Sequence, residues 1–148
     1  MKKIAAAACV CLAVATACAQ VDRAPTALAA PVEVKTLIIK DTHVGDDKLA
    51  VKDKAVLVHY TGWLYDPKAP DQKGAQFDTS VGGIPFGFII GRGRVIKGWD
   101  EGVPGMKVHG KRTLIIPPAM AYGDKGAGDR IPPNATLIFD VELINVLN

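Results

Sequence analysis

The sequence has little cysteine, and all of it lies near the amino terminus. The three cysteines are Cys9, Cys11 and Cys18, so the rest of the chain has neither a disulfide pair nor a thiol nucleophile. A domain in that part of the chain must rely on its own hydrophobic core for stability. Disulfide-stabilised miniature folds and cysteine-dependent enzymes are therefore excluded for this region.

Histidine and excess charge are also scarce. The histidines His43, His59 and His109 have no metal-ligand spacing among themselves or with a carboxylate, which argues against a zinc site. The formal net charge is +3, and subtracting Lys2 and Lys3, which lie in a segment expected to be removed, leaves about +1. That excess is too weak to indicate nucleic-acid binding. No Gly-x-Ser-x-Gly or other nucleophile motif occurs, so we expect no metal and no cofactor.

The first nineteen residues are typical of an export signal. The chain begins with the basic residues Lys2 and Lys3, and an uncharged run of small and apolar residues follows from Ile4 to Ala17. That run is shorter than the roughly 20 residues that a membrane-spanning helix needs, so a secretory signal is favoured. A buried amino-terminal helix is the weaker alternative. We therefore expect a signal peptide at residues 1–19 and an exported, periplasmic protein.

Two ways of cutting this signal remain open. Ala15-Thr16-Ala17-Cys18 resembles a bacterial lipobox, in which Cys18 receives lipid and becomes the new amino terminus, although Ala15 stands where leucine is usual. Ala17-Cys18-Ala19 also fits ordinary signal peptidase, with cleavage before Gln20. Lipidation of Cys18 is favoured; Ala19 would then be consistent with sorting to the outer membrane. This lipid is the only membrane attachment that we expect.

The remainder of the chain is organised as a linker followed by one domain. Residues 20–33 are rich in alanine, contain Pro25 and Pro31, and lack apolar periodicity, which predicts a flexible linker. Strand patterns dominate residues 34–148 and predict strands near 34–39, 55–64, 76–78, 86–90, 111–116 and 136–147. The one helical pattern lies at 95–103. We predict an α+β fold, a twisted antiparallel β-sheet wrapped around one short α-helix.

Aromatic residues are concentrated in this strand-rich region. Seven of the nine aromatic residues are predicted to face inward: Tyr60, Phe77, Phe86, Phe88, Trp99, Tyr122 and Phe139. Spacing alone does not distinguish a plain hydrophobic core from a pocket lined by core residues, and it favours the core. For His59, inside the second strand, the same pattern favours a structural, hydrogen-bonded role. Adjacent carboxylates at Asp46-Asp47 and Asp100-Glu101 are expected to be solvated rather than catalytic.

Six sequence blocks carry a more specific signal. They resemble, in order and spacing, the FKBP-type peptidyl-prolyl isomerases, and the resemblance covers residues 34–148. The blocks are Val58-His59-Tyr60-Thr61-Gly62, Phe77-Asp78-Thr79-Ser80, Pro85-Phe86-Gly87-Phe88, Val95-Ile96-Lys97-Gly98-Trp99-Asp100-Glu101-Gly102, Ala121-Tyr122-Gly123 and Ile131-Pro132-Pro133-Asn134-Ala135-Thr136-Leu137-Ile138-Phe139-Asp140-Val141-Glu142-Leu143.

The resemblance implies a function and a site. It implies cis/trans isomerisation of X-Pro bonds during folding of exported proteins, with proline-containing polypeptides as substrates and macrolide immunosuppressants as inhibitors. The catalytic residues that it implies are Tyr60, Asp78, Trp99, Tyr122 and Phe139. The substrate-binding residues that it implies are Phe77, Phe86, Val95, Ile96 and Ile131. A non-catalytic proline-binding chaperone or interaction module is the alternative.

Within that resemblance, individual groups have distinct roles. Trp99 would form the pocket floor, with its indole face against the proline ring. The backbone N–H of Ile96 and the hydroxyl of Tyr122 would bind ligand carbonyl oxygens, and Asp78 would orient the hydroxyl of Tyr60.

Three positions depart from the family pattern. Arg94 stands where an acidic or amide residue is frequent, Arg130 where an aliphatic residue is common, and Ala127 where a histidine is frequent. They surround the predicted pocket and therefore bear on ligand preference.

Overall fold

The computed structural model describes residues 33–148. The predicted signal peptide with Cys18, and the predicted linker up to residue 32, lie outside the described residues. In the described part the strands are β1 (Ile38–His43), β2 (Ala55–Tyr65), β3 (Lys73–Thr79), β4 (Phe86–Ile89), β5 (Lys111–Ile116) and β6 (Leu137–Leu147), and helix α1 is Lys97–Gly102. Short 3₁₀ segments lie at Pro70–Gln72, Pro118–Met120 and Gly123–Lys125.

The strands that the structure describes form one antiparallel sheet. Its order is β1-β5-β6-β2-β3, and β4 pairs with β2 outside this path. The long strands β2 and β6 are neighbours in the middle of the sheet, where their pairing extends from Ala55–Leu147 to Leu64–Leu137. The predicted fold class, an antiparallel sheet with one short helix, is confirmed.

Alternation of side chains along the central strands creates the buried face. In β2, Val56 and Val58 are fully buried, and in β6, Phe139, Val141 and Leu143 are buried. Successive side chains of a strand point to opposite faces, so these positions share one side of the sheet. Helix α1 covers the core from that side, because Gly98 and Gly102 pack against side chains of β5. The hydrophobic core therefore lies between the sheet and the helix.

Three elements differ from their predicted bounds by two or more residues, and one of them, β3, is Lys73–Thr79 rather than 76–78. Strand β1 begins at Ile38 rather than at residue 34 and continues to His43, because its pairing with β5 extends from Ile38–Ile115 to His43–Lys111. The β propensity of residues 34–39 gives no information about which strand they pair with, so it could not predict these bounds. Helix α1 begins at Lys97 rather than at residue 95, since Ile96 keeps an extended backbone with φ −59° and ψ 148°. The helix is consequently a single element of six residues.

A buried arginine joins the end of the helix to the sheet. Arg112 on β5 is the buried charged residue of the described chain, at 8% exposure. Its guanidinium donates to both carboxylate oxygens of Asp41 on β1, at 2.5 and 3.2 Å, and to the carbonyl oxygens of Gly102 at 2.7 Å and Pro104 at 3.1 Å. The last carbonyls of a helix have no partner within the helix. Arg112 satisfies them and so fixes α1 relative to β1 and β5.

Close packing of the helix on β5 yields a testable result. A Cβ atom on Gly98 would lie 2.4 Å from the Cγ2 atom of Ile116, so we expect Gly98→Ala to destabilise the protein by about 1–3 kcal/mol. The loss should exceed the gain of up to about 1 kcal/mol from the higher helix propensity of alanine. Urea unfolding measures the difference. Gly83→Ala is the control, because its Cβ would meet only the Ser80 carbonyl oxygen at 3.6 Å, and a loss as large as that of Gly98→Ala would contradict the packing argument.

Within residues 33–148 no helix has the length and apolar character needed to cross a membrane.

Candidate active site

Trp99 stands at the centre of an aromatic cluster. Its ring centroid lies 5.0 Å from that of Tyr60, 5.3 Å from that of Phe139, 5.6 Å from that of Phe88 and 5.9 Å from that of Phe86. Three of these contacts are edge-to-face, with interplanar angles of 76–84°, the geometry that aromatic quadrupoles favour. The rings come from β2, β4, α1 and β6, so the tertiary fold brings together residues that are far apart in sequence.

A second ring pair extends the cluster toward β3. Phe77 lies 5.5 Å from Phe139, edge to face. Gly62, on β2, leaves room for this contact, because a Cβ at that position would lie 2.6 Å from the Phe77 ring and 2.7 Å from the Phe139 ring. A glycine at residue 62 is thus required by the close approach of two predicted site residues.

The indole of Trp99 is almost completely enclosed. The residue is 4% exposed, and its Nε1 has no hydrogen-bond partner among the residues that the structure describes. A buried indole N–H usually finds a partner. Trp99 packs against aromatic rings within the hydrophobic core, so the surroundings of its indole are mainly apolar.

Tyr60 provides the polar group beside these rings. Its hydroxyl donates to Oδ2 of Asp78 at 2.6 Å, as the family resemblance implies. Burial and the hydrogen bond to the Asp78 carboxylate raise the pKa of Tyr60 well above its usual range. The phenol consequently remains protonated, and a donor to Asp78, throughout the neutral range.

Raising the pH tests this hydrogen bond. Because the folded state holds the Tyr60 proton more tightly than the unfolded state does, the contribution of this group to stability is complete below the ordinary tyrosine pKa of about 10 and is lost as the pH rises above it. We expect the stability of the native protein to fall more steeply above that pH than the stability of Tyr60→Phe. Unfolding curves recorded at increasing pH measure the two slopes, and equal slopes would show that the pKa of Tyr60 is not raised in the folded protein.

Two hydrogen bonds between Ser80 and the backbone of Tyr60 fix the position of Tyr60. The Ser80 Oγ accepts from the Tyr60 N–H at 3.0 Å, and the Ser80 N–H donates to the Tyr60 carbonyl at 2.9 Å. The same hydroxyl lies 3.2 Å from Nδ1 of His59. The prediction that His59 is a hydrogen-bonded structural residue is confirmed.

Two predicted inward-facing residues are in fact exposed. Phe86 and Tyr122 are each 41% exposed, and the prediction that they face the core is wrong. Phe86 begins β4, a short strand paired only with β2 in the sheet, and Tyr122 lies in the loop between two 3₁₀ segments. Phe86 still contacts the rings of Tyr60 and Trp99 and forms an edge of the cluster.

The other predicted binding residues lie on the loops around the rings. Val95 and Ile96 are half-buried and pack against the core, whereas Ile131 is buried. Ile96 precedes α1, and its N–H donates to no acceptor in the described part of the chain. The Tyr122 hydroxyl likewise has no partner within residues 33–148, and burial together with the nearby Asp78 raises the pKa of Tyr122. These two donors remain available to a ligand.

The three positions that depart from the family pattern lie on exposed or half-buried loops. Arg130 is exposed and donates through Nη1 to the Phe77 carbonyl oxygen at 2.9 Å, so it connects the loop before Ile131 to β3. Ala127 is half-buried and pairs with Ile131 through backbone hydrogen bonds of 2.9 and 3.1 Å. Arg94 is exposed in the loop before Val95.

Sequence reasoning missed three residues that organise this region. Phe88 contacts Trp99 and was predicted only as a core residue, Ser80 positions Tyr60, and Asp100 orders the loop before α1. The Asp100 carboxylate, expected to be solvated rather than catalytic, accepts from the N–H groups of Gly91 at 2.9 Å and Gly93 at 2.8 Å and so has a structural contact that the sequence did not indicate. Gly91 and Gly93, each with φ in the left-handed region, were the sequence feature that could have indicated an ordered loop here.

An open groove adjoins the cluster. It has a volume of about 600 Å³ and is lined by Tyr60 and by residues 79–87. Trp99 does not line it, so the groove extends from the edge of the cluster formed by Tyr60 and Phe86. No group of three or more His, Cys, Asp or Glu side chains in residues 33–148 is arranged to hold a metal ion. The arrangement offers apolar rings, the Tyr60–Asp78 hydrogen bond at their edge, and two free donors.

Comparison with known proteins gives consistent matches. A family model described as FKBP-type peptidyl-prolyl cis-trans isomerase matches residues 46–144. The chain is similar to the FK506-binding protein of Neisseria meningitidis serogroup A, with 53% identity over 112 residues that cover 75% of this chain and 96% of that protein. It is also similar to peptidyl-prolyl cis-trans isomerase FKBP53 of Arabidopsis thaliana, with 51% identity over 112 residues that cover 74% of this chain and 22% of that protein. The crystal structure of AtFKBP13 matches with a TM-score of 0.66 and 41% identity, covering 79% of this chain and 98% of that one.

Proposed function

Since the chain belongs to the FKBP-type peptidyl-prolyl cis-trans isomerases, as its sequence blocks predict, we propose that it accelerates cis/trans isomerisation of X-Pro bonds at the aromatic cluster around Trp99. The observation that carries this proposal is the enclosure of Trp99 by four aromatic rings, beside the Tyr60–Asp78 hydrogen bond. The family supports the reaction class, and the cluster supplies the surroundings that the reaction needs.

The chemistry requires no nucleophile and no metal. Amide resonance holds the peptide bond planar against a barrier of ~18–20 kcal/mol. Twisting removes this resonance, so the carbonyl becomes less polar and the C–N bond loses double-bond character. A dry, apolar site disfavours the planar, more dipolar amide relative to the twisted one, which lowers the barrier by differential binding.

Each predicted site residue has a part in this mechanism. The ring of Trp99, with Phe139 behind it, would support the proline ring, and Phe77, Phe86, Val95 and Ile131 would form the walls. The free N–H of Ile96 and the hydroxyl of Tyr122 would donate to the substrate carbonyl oxygens on either side of the bond. Tyr60, held by Asp78 and Ser80, would keep the wall rigid while the amide twists.

A peptide isomerisation assay tests the proposal. The purified domain from Gln20 onward should accelerate exchange of a short X-Pro peptide, and an immunosuppressant macrolide should inhibit it. Uncatalysed exchange takes tens to hundreds of seconds, so catalysis is measured directly by NMR exchange or a protease-coupled assay. Binding of proline peptides without any acceleration would overturn the proposal and support a non-catalytic proline-binding module.

We propose further that the protein acts on exported polypeptides in the periplasm. This rests on the basic start and apolar run of the signal predicted at residues 1–19, followed by the linker at 20–33 and the domain at 34–148. Lipid on Cys18 would anchor the domain at the outer membrane through a tether. Mass spectrometry of the protein from the membrane fraction tests this: a diacylated Cys18 supports anchoring, and a free amino terminus at Gln20 contradicts it. If Cys18 carries the lipid, Cys18→Ala should shift the protein from the membrane fraction to the soluble fraction.

A further inference from the structure

The groove beside the cluster is continuous with the proposed isomerase site. It is lined by Tyr60 and by residues 79–87, and Phe86 connects the two, with its ring 6.0 Å from that of Tyr60 and 5.9 Å from that of Trp99. A chain whose proline lies against Trp99 would therefore pass Phe86 and enter the groove.

The wall of the groove is uncharged along residues 79–87 and carries three exposed apolar side chains beside the polar groups of Thr79 and Ser80. Ile84 is 89% exposed and Val81 is 65% exposed, and both lie in the groove with the exposed ring of Phe86. Residues 79–87 contain no Asp, Glu, Lys or Arg. Single exposed apolar residues are ordinary, but several of them lining one groove next to a proposed site favour a binding surface. The chemistry of this wall suits an apolar side chain and gives a charged one no partner.

Hydrogen bonds hold this wall in place. The Gly83 N–H donates to the Ser80 carbonyl at 3.0 Å, which closes a turn whose third residue, Gly82, has φ of +85°. The Val81 N–H donates to Oγ1 of Thr79 at 3.1 Å, and Ser80 is bound to Tyr60 on β2 through two hydrogen bonds. Val81 and Ile84 are thus presented by a turn anchored to the strand that carries a site residue.

We propose that this groove binds an apolar side chain located two to four residues from the proline in an extended polypeptide substrate. The ring of Phe86, which lines the groove, lies 5.9 Å from that of Trp99, a span of about two extended substrate residues at ~3.3 Å each, and the groove extends beyond Phe86 to Ile84 and Val81. The inference rests on the proposed isomerase function and deepens it. The preferred substrate class is an unfolded chain with an apolar residue at this distance from proline, and a short X-Pro peptide would use only part of the surface.

Three peptides and two variants test the proposal. One peptide is a tetrapeptide containing X-Pro, and the second extends it by four residues on each side, with leucine at the positions two to four residues from proline. A serine-substituted long peptide is its reference. For the native protein we expect kcat/KM on the leucine peptide to exceed that on the serine peptide by about tenfold, through KM. In the double variant Val81→Ser/Ile84→Ser this ratio should approach one.

Val44→Ser is the matched control. Val44 is 72% exposed and does not line the groove, so this variant should keep the native ratio. An unchanged ratio in the double variant, or a native ratio near one while the tetrapeptide is still isomerised, would overturn the groove proposal and leave the isomerase function intact. If the native protein isomerises no peptide, the proposed function fails, and fluorescence anisotropy then decides the groove: leucine-peptide binding that the double variant loses would support it, and equal binding would overturn it.

Discussion

Replacing Trp99 with alanine is expected to lower kcat/KM for X-Pro isomerisation by about 10- to 100-fold, because the variant loses the apolar surface against which the proline ring is proposed to bind. The same change removes a side chain that contacts four rings, and a cavity of this kind costs about 3–5 kcal/mol of stability. The assay should therefore be performed at low temperature, after circular dichroism has shown that the variant is folded.

A second core variant separates the effect on activity from the effect on stability. Leu143 is fully buried on β6, four residues beyond Phe139 and about 13 Å along the strand. Leu143→Ala should cost about 2–5 kcal/mol of stability and keep kcat/KM close to native. If Trp99→Ala proves unfolded, Trp99→Leu supplies the same comparison with a smaller cavity. Equal activity in the Trp99 and Leu143 variants would contradict the assignment of Trp99 to the site.

Replacing Arg112 with methionine is expected to destabilise the fold by about 2–4 kcal/mol, because two carbonyl oxygens beside the end of α1 lose the donor that satisfies them. The Gly102 and Pro104 carbonyls at the end of α1 would lose their donor, and Asp41 would lose both of its hydrogen bonds. Since the Asp41 side chain is 47% exposed, water can replace its part, which favours the lower end of this range. Equilibrium urea unfolding measures the loss.

The neighbouring lysine provides a control on the same strand. Lys111 forms an ion pair with Glu142 at 3.6 Å, with both side chains well exposed to water, and exposed pairs contribute about 0–1 kcal/mol. Lys111→Met should therefore have little effect. Asp41→Asn should be intermediate, because it removes one charge and leaves the two helix carbonyls bound. A loss in Arg112→Met no greater than that in Lys111→Met would show that the buried network does not hold the helix.

The family and the central sheet could be predicted from the sequence because both depend on local patterns. Alternation in β2 and β6 identifies the buried positions Val56, Val58, Phe139, Val141 and Leu143, all of which are buried in the structure. A strand's two faces are a property of its own residues. The block around Trp99 likewise identifies the helix, and its true start differs by only two residues from the predicted one.

Burial at the edges of the site could not be predicted in this way. Phe86 and Tyr122 are aromatic residues of the kind found in hydrophobic cores, but each is 41% exposed. Burial depends on which elements pack over a residue as well as on its type. Asp100 belongs to a helical pattern, yet its carboxylate binds the N–H groups of Gly91 and Gly93 in the preceding loop. These contacts depend on the path of the backbone in space, which local periodicity does not contain.

The sequence by itself determined the family, the central strands and the identity of the aromatic residues around Trp99, since each depends on residue type and spacing along the chain. The tertiary structure alone decided that Arg112 binds both β1 and the end of α1, that Ser80 fixes Tyr60, and that Val81 and Ile84 form the wall of a groove beside the site. The physical reason is that these features arise where elements that are far apart in the sequence come close together in space. Such approach is fixed only when the whole sheet and helix pack together.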